Sequence, residues 1–266
     1  MGELVKIKIN NNIYEAEKGE PVLKVAKREG IDIPSLCYHE TLKPQGACRL
    51  CLVEVIEGKP RGITTSCTLL SVNGLEVMTD TPEVQKHRKI ILEFYLAQAP
   101  GSQEIKRLAE KYGVTEVKPS KEIDPNDPLG GKCILCGLCV RVCDEIMGVN
   151  AISYIGRGNY TKINTPYFEK SEVCIGCKAC ADVCPTSAIQ IEDINDKRVM
   201  KSWSKTEARL KRCERCGKYF APNLLIKHTC KIYDELDKEV KNLCPDCRRK
   251  VLSKKVFISK KRIIIK

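Results

Sequence analysis

The residues best able to do chemistry in this sequence are its cysteines, 17 among 266 residues. They stand in four groups. Cys37, Cys48, Cys51 and Cys67 are spaced C-x10-C-x2-C-x15-C. Cys133, Cys136, Cys139 and Cys143 form a C-x2-C-x2-C-x3-C run. Cys174, Cys177, Cys180 and Cys184 repeat that run 41 residues on, followed this time by Pro185. The last group pairs Cys213 and Cys216 with Cys244 and Cys247, leaving Cys230 over. Cysteines also serve as small buried hydrophobes, but groups bracketed by turn residues do not make a core stripe. Thiolates at these spacings hold metal.

Cysteine at this density in a short secreted chain would indicate a disulfide scaffold. This chain is long, 30% charged, and opens MGELVKIKIN, with no apolar signal core and no twin arginine. No uncharged apolar run reaches the roughly 18 residues that a membrane span needs. The expectation is a soluble, cytoplasmic protein with reduced, metal-binding thiols. In the last group two C-x2-C pairs, the first followed by Gly217, read as zinc knuckles closing one tetrahedral site on Cys213, Cys216, Cys244 and Cys247. A structural zinc there would supply about 10–16 kcal/mol of folding energy to a segment poor in apolar residues. Replacement of one ligand by His228 or Cys230, and a further 4Fe–4S cluster in place of zinc, are left open by the spacing.

The elements around the first group suggest a small β-rich unit with one helix. Val5, Ile7 and Ile9 alternate as in a half-buried strand, Asn10-Asn11-Asn12 supplies a turn, and Ile13–Glu17 returns as its partner. Pro21 opens a helix with Val22, Leu23, Val25 and Ala26 on one face and Gly30 at its stop. Strands over Leu52–Ile56, Gly62–Ser66 and Leu75–Thr79 complete a β-grasp pattern. Glu83–Ala99 is predicted helical, with Val84, Ile90, Ile91, Phe94, Tyr95 and Leu96 as its apolar set. A second helix runs from Ser102 to Lys111. Gly156-Arg157-Gly158 is too short for a dinucleotide fingerprint and reads as a hairpin turn. Ile232–Asn242 has helix composition.

Charge divides the chain unevenly. Residues 1–200 carry 26 Lys and Arg against 27 Asp and Glu, and residues 201–266 carry 20 against 7. The net +12 thus sits wholly beyond Met200. Oxidised thiolate-ligated sites bring the two parts to about −7 and about +11. Runs such as Arg248-Arg249-Lys250 and Lys260-Lys261-Arg262 attract either nucleic acid or an acidic protein partner. Only Tyr219, Phe220, Tyr233 and Phe257 interleave them, so docking on a partner is the expectation.

The first cysteine group resembles the plant-type 2Fe–2S ferredoxin ligand set. Its widened first gap, with Gly46-Ala47 before Cys48-Arg49-Leu50-Cys51, is similar to the N-terminal domain of complex I's large iron–sulfur subunit and of related hydrogenase and formate dehydrogenase subunits. The repeated run is that of two-cluster 4Fe–4S ferredoxins, in which the fourth cysteine of each run ligates the other cluster. The resemblance therefore implies one cluster on Cys133, Cys136, Cys139 and Cys184, and another on Cys174, Cys177, Cys180 and Cys143, the fourth cysteine opening a short helix that points away. The family usually adds a 4Fe–4S site with one His and three Cys between these domains. Here Ala97-Gln98-Ala99-Pro100-Gly101 offers no ligand, and His87 is expected on the surface.

The expected fold class is α+β, with four segments: a β-grasp 2Fe–2S domain over 1–80, a helical linker over 81–125, a two-cluster 4Fe–4S domain over 126–200, and a basic zinc module over 201–266. Clusters held only by cysteine have no open position for substrate and move single electrons. With no nucleophile–base pair or phosphate loop, the implied role is an electron-relay subunit without a catalytic site of its own, carrying one 2Fe–2S cluster, two 4Fe–4S clusters and one structural zinc. The resemblance implies an NAD(P)H- and flavin-binding subunit on one side, and a hydrogenase, formate dehydrogenase or second flavoprotein on the other. The length is similar to the small diaphorase-type subunits of electron-bifurcating hydrogenases and transhydrogenases. The alternative is a redox-sensing regulator that binds nucleic acid through the basic module.

Overall fold

The computed structural model describes residues 3–119, 126–203, 206–232 and 240–253. Two compact units emerge, one of Met1–Ile146 with Val183–Ala188 and one of Met147–Asp182 with Ile189–Lys266.

In the first unit, β1 (Leu4–Ile9) turns Val5, Ile7 and Ile9 inward. Asn10 and Asn11 take left-handed conformations (φ 49° and 68°), tolerable for Asn, and reverse the chain into β2 (Asn12–Glu17). With β3 (Leu52–Glu57), β4 (Gly62–Thr65) and β5 (Glu76–Met78), these strands make one sheet ordered β2-β1-β5-β3-β4. Only β1 and β5 pair in parallel. Helix α1 (Val22–Arg28) packs Val22, Leu23, Val25 and Ala26 into the same core as Val53, Val55 and Val77. Full burial of a Val or Leu is worth about 1.5–3 kcal/mol, so this face fixes the register of the β-grasp read from the sequence.

Helix α2 (Pro82–Gln98) starts where the Thr81 hydroxyl accepts the Val84 N–H, and α3 (Gln103–Lys111) where Ser102 accepts the Ile105 N–H. The buried stripe of α2 differs from the apolar set expected. Val84, Arg88 and Leu92 point inward, whereas Ile90 and Phe94 are exposed, Phe94 by 71%. The register follows Val84 and Leu92 at i and i+8, and a charged residue takes the place between them.

The repeated cysteine runs each carry a short helix, α4 (Leu138–Arg141) and α5 (Ala179–Asp182). These helices begin before the third cysteine, which corrects the expectation that the fourth opens them. Cys143 sits in the wide turn Val142–Ile146 that follows α4, and Cys184 lies beyond the end of α5. The second unit contains a hairpin of β6 (Ser153–Ile155) and β7 (Lys162–Asn164) around Gly156-Arg157-Gly158. Its main sheet is antiparallel, ordered β11-β10-β9-β8, from β8 (Ile191–Ile194), β9 (Lys197–Met200), β10 (Thr206–Arg212) and β11 (Tyr219–Pro222). The sheet runs straight through the charge step at Met200. Helix α6 (Asn223–Ile232) follows, and residues 245–253 are helical. Most of the helix expected over Ile232–Asn242, and the Lys260-Lys261-Arg262 run, lie outside the described residues. Among the described residues no helix is long and apolar enough to cross a membrane.

Candidate metal centres

Four buried thiols converge at the edge of the β-grasp sheet. Cys37 lies in the loop after α1, Cys48 and Cys51 in the loop entering β3, and Cys67 just after β4; none is more than 3% exposed. Arg49, left-handed at φ 58°, curls the loop between Cys48 and Cys51. The Leu36 N–H donates to Cys48 Sγ at 3.4 Å and the Cys48 N–H to Cys37 Sγ at 3.2 Å. A hydrogen bond from the Cys37 thiol, with backbone donors from Leu36, Leu50 and Cys37, outweighs burial and lowers the Cys48 pKa to about 6. The Cys67 thiol, helped by the Cys67 N–H and Ser66, does the same for Cys51, lowering it to about 7. Their partners Cys37 and Cys67 are pushed upward, first by those same bonds and then by burial. Four buried thiols, hydrogen-bonded in pairs and approached by N–H donors that favour the thiolate form, have the chemistry of metal ligands.

The two cysteine runs share a backbone signature. Leu135 and Gly137 flank Cys136 with φ of 55° and 79°, and Gly176 and Lys178 flank Cys177 with φ of 64° and 73°. Two left-handed residues around the middle cysteine curl each loop tightly about it, and in the first run the Leu135 N–H donates to Cys133 Sγ at 3.4 Å. Val183–Ala188 belongs to the first unit, as do Cys133, Cys136 and Cys139. Burial raises Cys136 to about 12, and the charges of Cys133, Cys184 and Cys48 add to the effect. Cys184 and Cys48 thus both bear on the Cys136 thiol. Cys37, Cys48, Leu50 and Ile134 belong to one apolar cluster, against which Tyr95 and Cys136 pack.

The loop of the second run leans on the second unit's sheet. A Cβ on Gly176 would meet Pro222 Cγ at 3.0 Å and the Ala208 Cβ at 3.2 Å, so both this tight approach and the left-handed φ favour glycine here. Arg198 is 6% exposed and donates to the Gly176 carbonyl at 2.7 Å and to both Asp193 oxygens at 2.6 and 2.9 Å. The guanidinium holds the Asp193 carboxyl below the usual carboxylate range. Arg198→Ala removes three charge-assisted bonds of about 1.5–3 kcal/mol each, less the share screened at half-exposed Asp193. Its Tm is expected to fall by roughly 5–10 °C in a thermal melt.

The C-terminal group is the tightest. The sulfurs of Cys213, Cys216, Cys244 and Cys247 all lie within 4.8 Å of one another, and Cys216 Sγ is 3.7 Å from Cys244 Sγ. Burial opposes ionisation of Cys213, but the N–H groups of Cys244, Cys216 and Arg215 prevail and lower it to about 6. Burial and bonds to the other three cysteines push Cys247 to about 12. Val240 and Leu243 cover the site with Phe220 and Val251. His228 and Cys230, both on α6, do not belong to this set.

The sequence matches two domain families in the places this geometry suggests. A 2Fe–2S iron–sulfur cluster binding domain matches residues 2–82. A 4Fe–4S dicluster domain matches residues 132–188 and again 173–218. The NADH-ubiquinone oxidoreductase 75 kDa subunit of Reclinomonas americana is 33% identical over 204 residues, covering 70% of this chain. The chain is homologous to the complex I 75 kDa subunit. The mitochondrial NADH dehydrogenase [ubiquinone] iron–sulfur protein 1 of Solanum tuberosum and an NADH-quinone oxidoreductase subunit of Rhizobium meliloti (strain 1021) are each 32% identical over 206 residues, again covering 70% of the chain. This chain spans only 29%, 27% and 24% of those three proteins in turn. Among solved structures, an NAD+-reducing [NiFe]-hydrogenase in the H2-reduced state is 28% identical with a TM-score of 0.50, over 61% of this chain and 75% of that one.

His87 sits on α2 with Nδ1 2.8 Å from the Glu83 carbonyl oxygen. Three residues beside the centres are not singled out by the sequence reading: Arg88, Tyr95 as a hydrogen-bond donor, and Arg198. For Arg88 a signal exists, since Val84-x3-Arg88-x3-Leu92 places it on the buried stripe. For Arg198 there is none.

Proposed function

We propose that this chain is an iron–sulfur relay subunit of a multisubunit oxidoreductase, passing single electrons between an NAD(P)H- and flavin-binding subunit and a hydrogenase, formate dehydrogenase or second flavoprotein. Its segments are a 2Fe–2S domain to residue 80, a helical linker to 125, and a two-cluster domain whose sheet β11-β10-β9-β8 continues past Met200 into the basic C-terminal part. Cys37, Cys48, Cys51 and Cys67 hold a 2Fe–2S cluster. Cys133, Cys136, Cys139 and Cys184 hold one 4Fe–4S cluster, and Cys174, Cys177, Cys180 and Cys143 the other. Thiolate-held clusters supply reversible one-electron couples.

The observation that carries this reading is the apolar cluster joining Cys37 and Cys48 to Ile134 and Cys136. Two redox sites that share packed side chains form consecutive steps of an electron path. Tyr95 stands between them: burial first, then the charges of Cys48, Cys37 and Cys136, push its phenol above the ordinary range. The relatives, an NADH-quinone oxidoreductase subunit and an NAD+-reducing hydrogenase, support the same class of partners.

Zinc is the proposed ion of the C-terminal set. A separation of 3.7 Å between Cys216 and Cys244 sulfurs suits the edge of a tetrahedron with Zn–S bonds of about 2.3 Å. A 4Fe–4S cube spaces its thiolates more widely, because each sulfur binds a different iron. Metal analysis of the anaerobically purified chain is expected to give roughly ten irons and one zinc. About fourteen irons without zinc would replace the zinc site by a third cube.

A further inference from the structure

α2 lies almost wholly outside residues 2–82 matched by the 2Fe–2S domain, yet its side chains grip the cysteine loop. Arg88 Nε donates to the Leu50 carbonyl at 3.1 Å, and its Nη2 to the Leu52 carbonyl at 2.7 Å. The Tyr95 hydroxyl donates to the Cys48 carbonyl at 3.2 Å. Every second carbonyl from Cys48 to Leu52 is thus held by α2. The Cys51 carbonyl, between them, takes the Ser66 N–H at 2.8 Å and its hydroxyl at 2.7 Å. A trans peptide points its C=O and N–H in opposite directions. Drawing the Leu50 carbonyl toward Arg88 therefore sends the Cys51 N–H the other way, and holding the Cys48 carbonyl does the same for Arg49.

The charge of Arg88 is equally unusual. The residue is 1% exposed, and its one ion-pair partner among the described residues, Asp80, is 3.8 Å away and largely in solvent. Its third contact is neutral, the Tyr112 hydroxyl at 3.0 Å from Nη1, with the guanidinium 5.8 Å from that ring's centre. A buried cation that satisfies its donors on neutral carbonyls keeps most of its field. That field falls on the loop of Cys48 and Cys51.

We propose that Arg88 is a positioning residue for the 2Fe–2S centre: with Tyr95 it fixes the Cys48–Leu52 loop, and its positive charge raises the reduction potential of the cluster held there. The inference rests on the assignment of Cys37, Cys48, Cys51 and Cys67 as ligands. Reduction adds one negative charge to the cluster, and a nearby buried cation stabilises the reduced form more than the oxidised one. Low local dielectric makes that difference larger than at a surface.

The test is an EPR-monitored redox titration of the full-length, iron-loaded chain, with the 4Fe–4S signals as internal references. Arg88→Gln keeps a donor and removes the charge, so its 2Fe–2S midpoint is expected to move negative. Arg88→Lys, which restores the charge, is expected to lie between that value and the wild type. Asp80→Asn removes the carboxylate paired with Arg88 and is expected to move the midpoint the opposite way, to more positive values, at low ionic strength. Full iron content and an unshifted midpoint in Arg88→Gln would overturn the proposal. If that variant fails to hold the 2Fe–2S cluster, Arg88→Lys decides, since its shorter ammonium draws the charge back from the Leu50 and Leu52 carbonyls: a negative shift supports the field of Arg88, and an unshifted midpoint overturns it. A wild-type chain with no 2Fe–2S signal would sink the ligand assignment itself, and this inference with it.

Discussion

Replacing Cys184 by alanine is expected to remove the cluster of Cys133, Cys136 and Cys139, not that of the run to which Cys184 belongs in sequence. The reason lies in the folding of Val183–Ala188 into the first unit and in the electrostatic coupling of Cys184 to Cys136. A cube lacking one of its four thiolates is coordinatively open and loses iron. Iron should fall by up to about four atoms per chain, while the 2Fe–2S signal persists, because its four cysteines lie elsewhere in that unit. Cys143→Ala is the reciprocal case and should damage the cluster of Cys174, Cys177 and Cys180. Mössbauer or EPR spectra of the two variants check the pairing. Each variant losing the cluster of its own run would refute crossed ligation.

How much of the fold is legible in the sequence depends on how directly a residue's neighbours in the chain are its neighbours in space. The alternation of Val5, Ile7 and Ile9 and the face of α1 are local patterns, and both form core. Cysteine spacing is informative for the same reason, since a C-x2-C turn is a local object. The stripe on α2 is not, because a charged residue is ordinarily assigned to solvent, which puts Ile90 and Phe94 inside in place of Arg88. Arg88 is buried only because carbonyls of a loop 36–38 residues earlier satisfy it, and no local pattern encodes such a partner. Arg198 depends likewise on Gly176, 22 residues away. The charge step at Met200 is a property of exposed side chains. The sheet through it is held by Met200, Ala208 and Leu210, which are buried on either side of the step, so a change in surface composition does not mark a change in packing.

The relay reading leads to a sharp expectation for the isolated chain: dithionite should bleach it, and NADH or NADPH should not. A nicotinamide delivers a hydride, which carries two electrons, whereas each thiolate-held cluster accepts one. Splitting the pair needs a flavin or an equivalent group. The sequence offers no phosphate-binding glycine loop at which a dinucleotide would sit, and the cysteine sets leave no open coordination position. Adding the flavin-bearing partner should then make nicotinamide-driven bleaching possible, at a rate that falls with salt if the basic residues beyond Met200 take part in docking. Stopped-flow absorbance under anaerobic conditions distinguishes the cases, with dithionite marking full reduction. Slow or partial bleaching in the presence of the partner would be set by cluster potentials, which span roughly −700 to +450 mV in proteins of this type. Complete reduction of the isolated chain by NADH within seconds would count decisively against a relay, because it would require a hydride-accepting site on this chain.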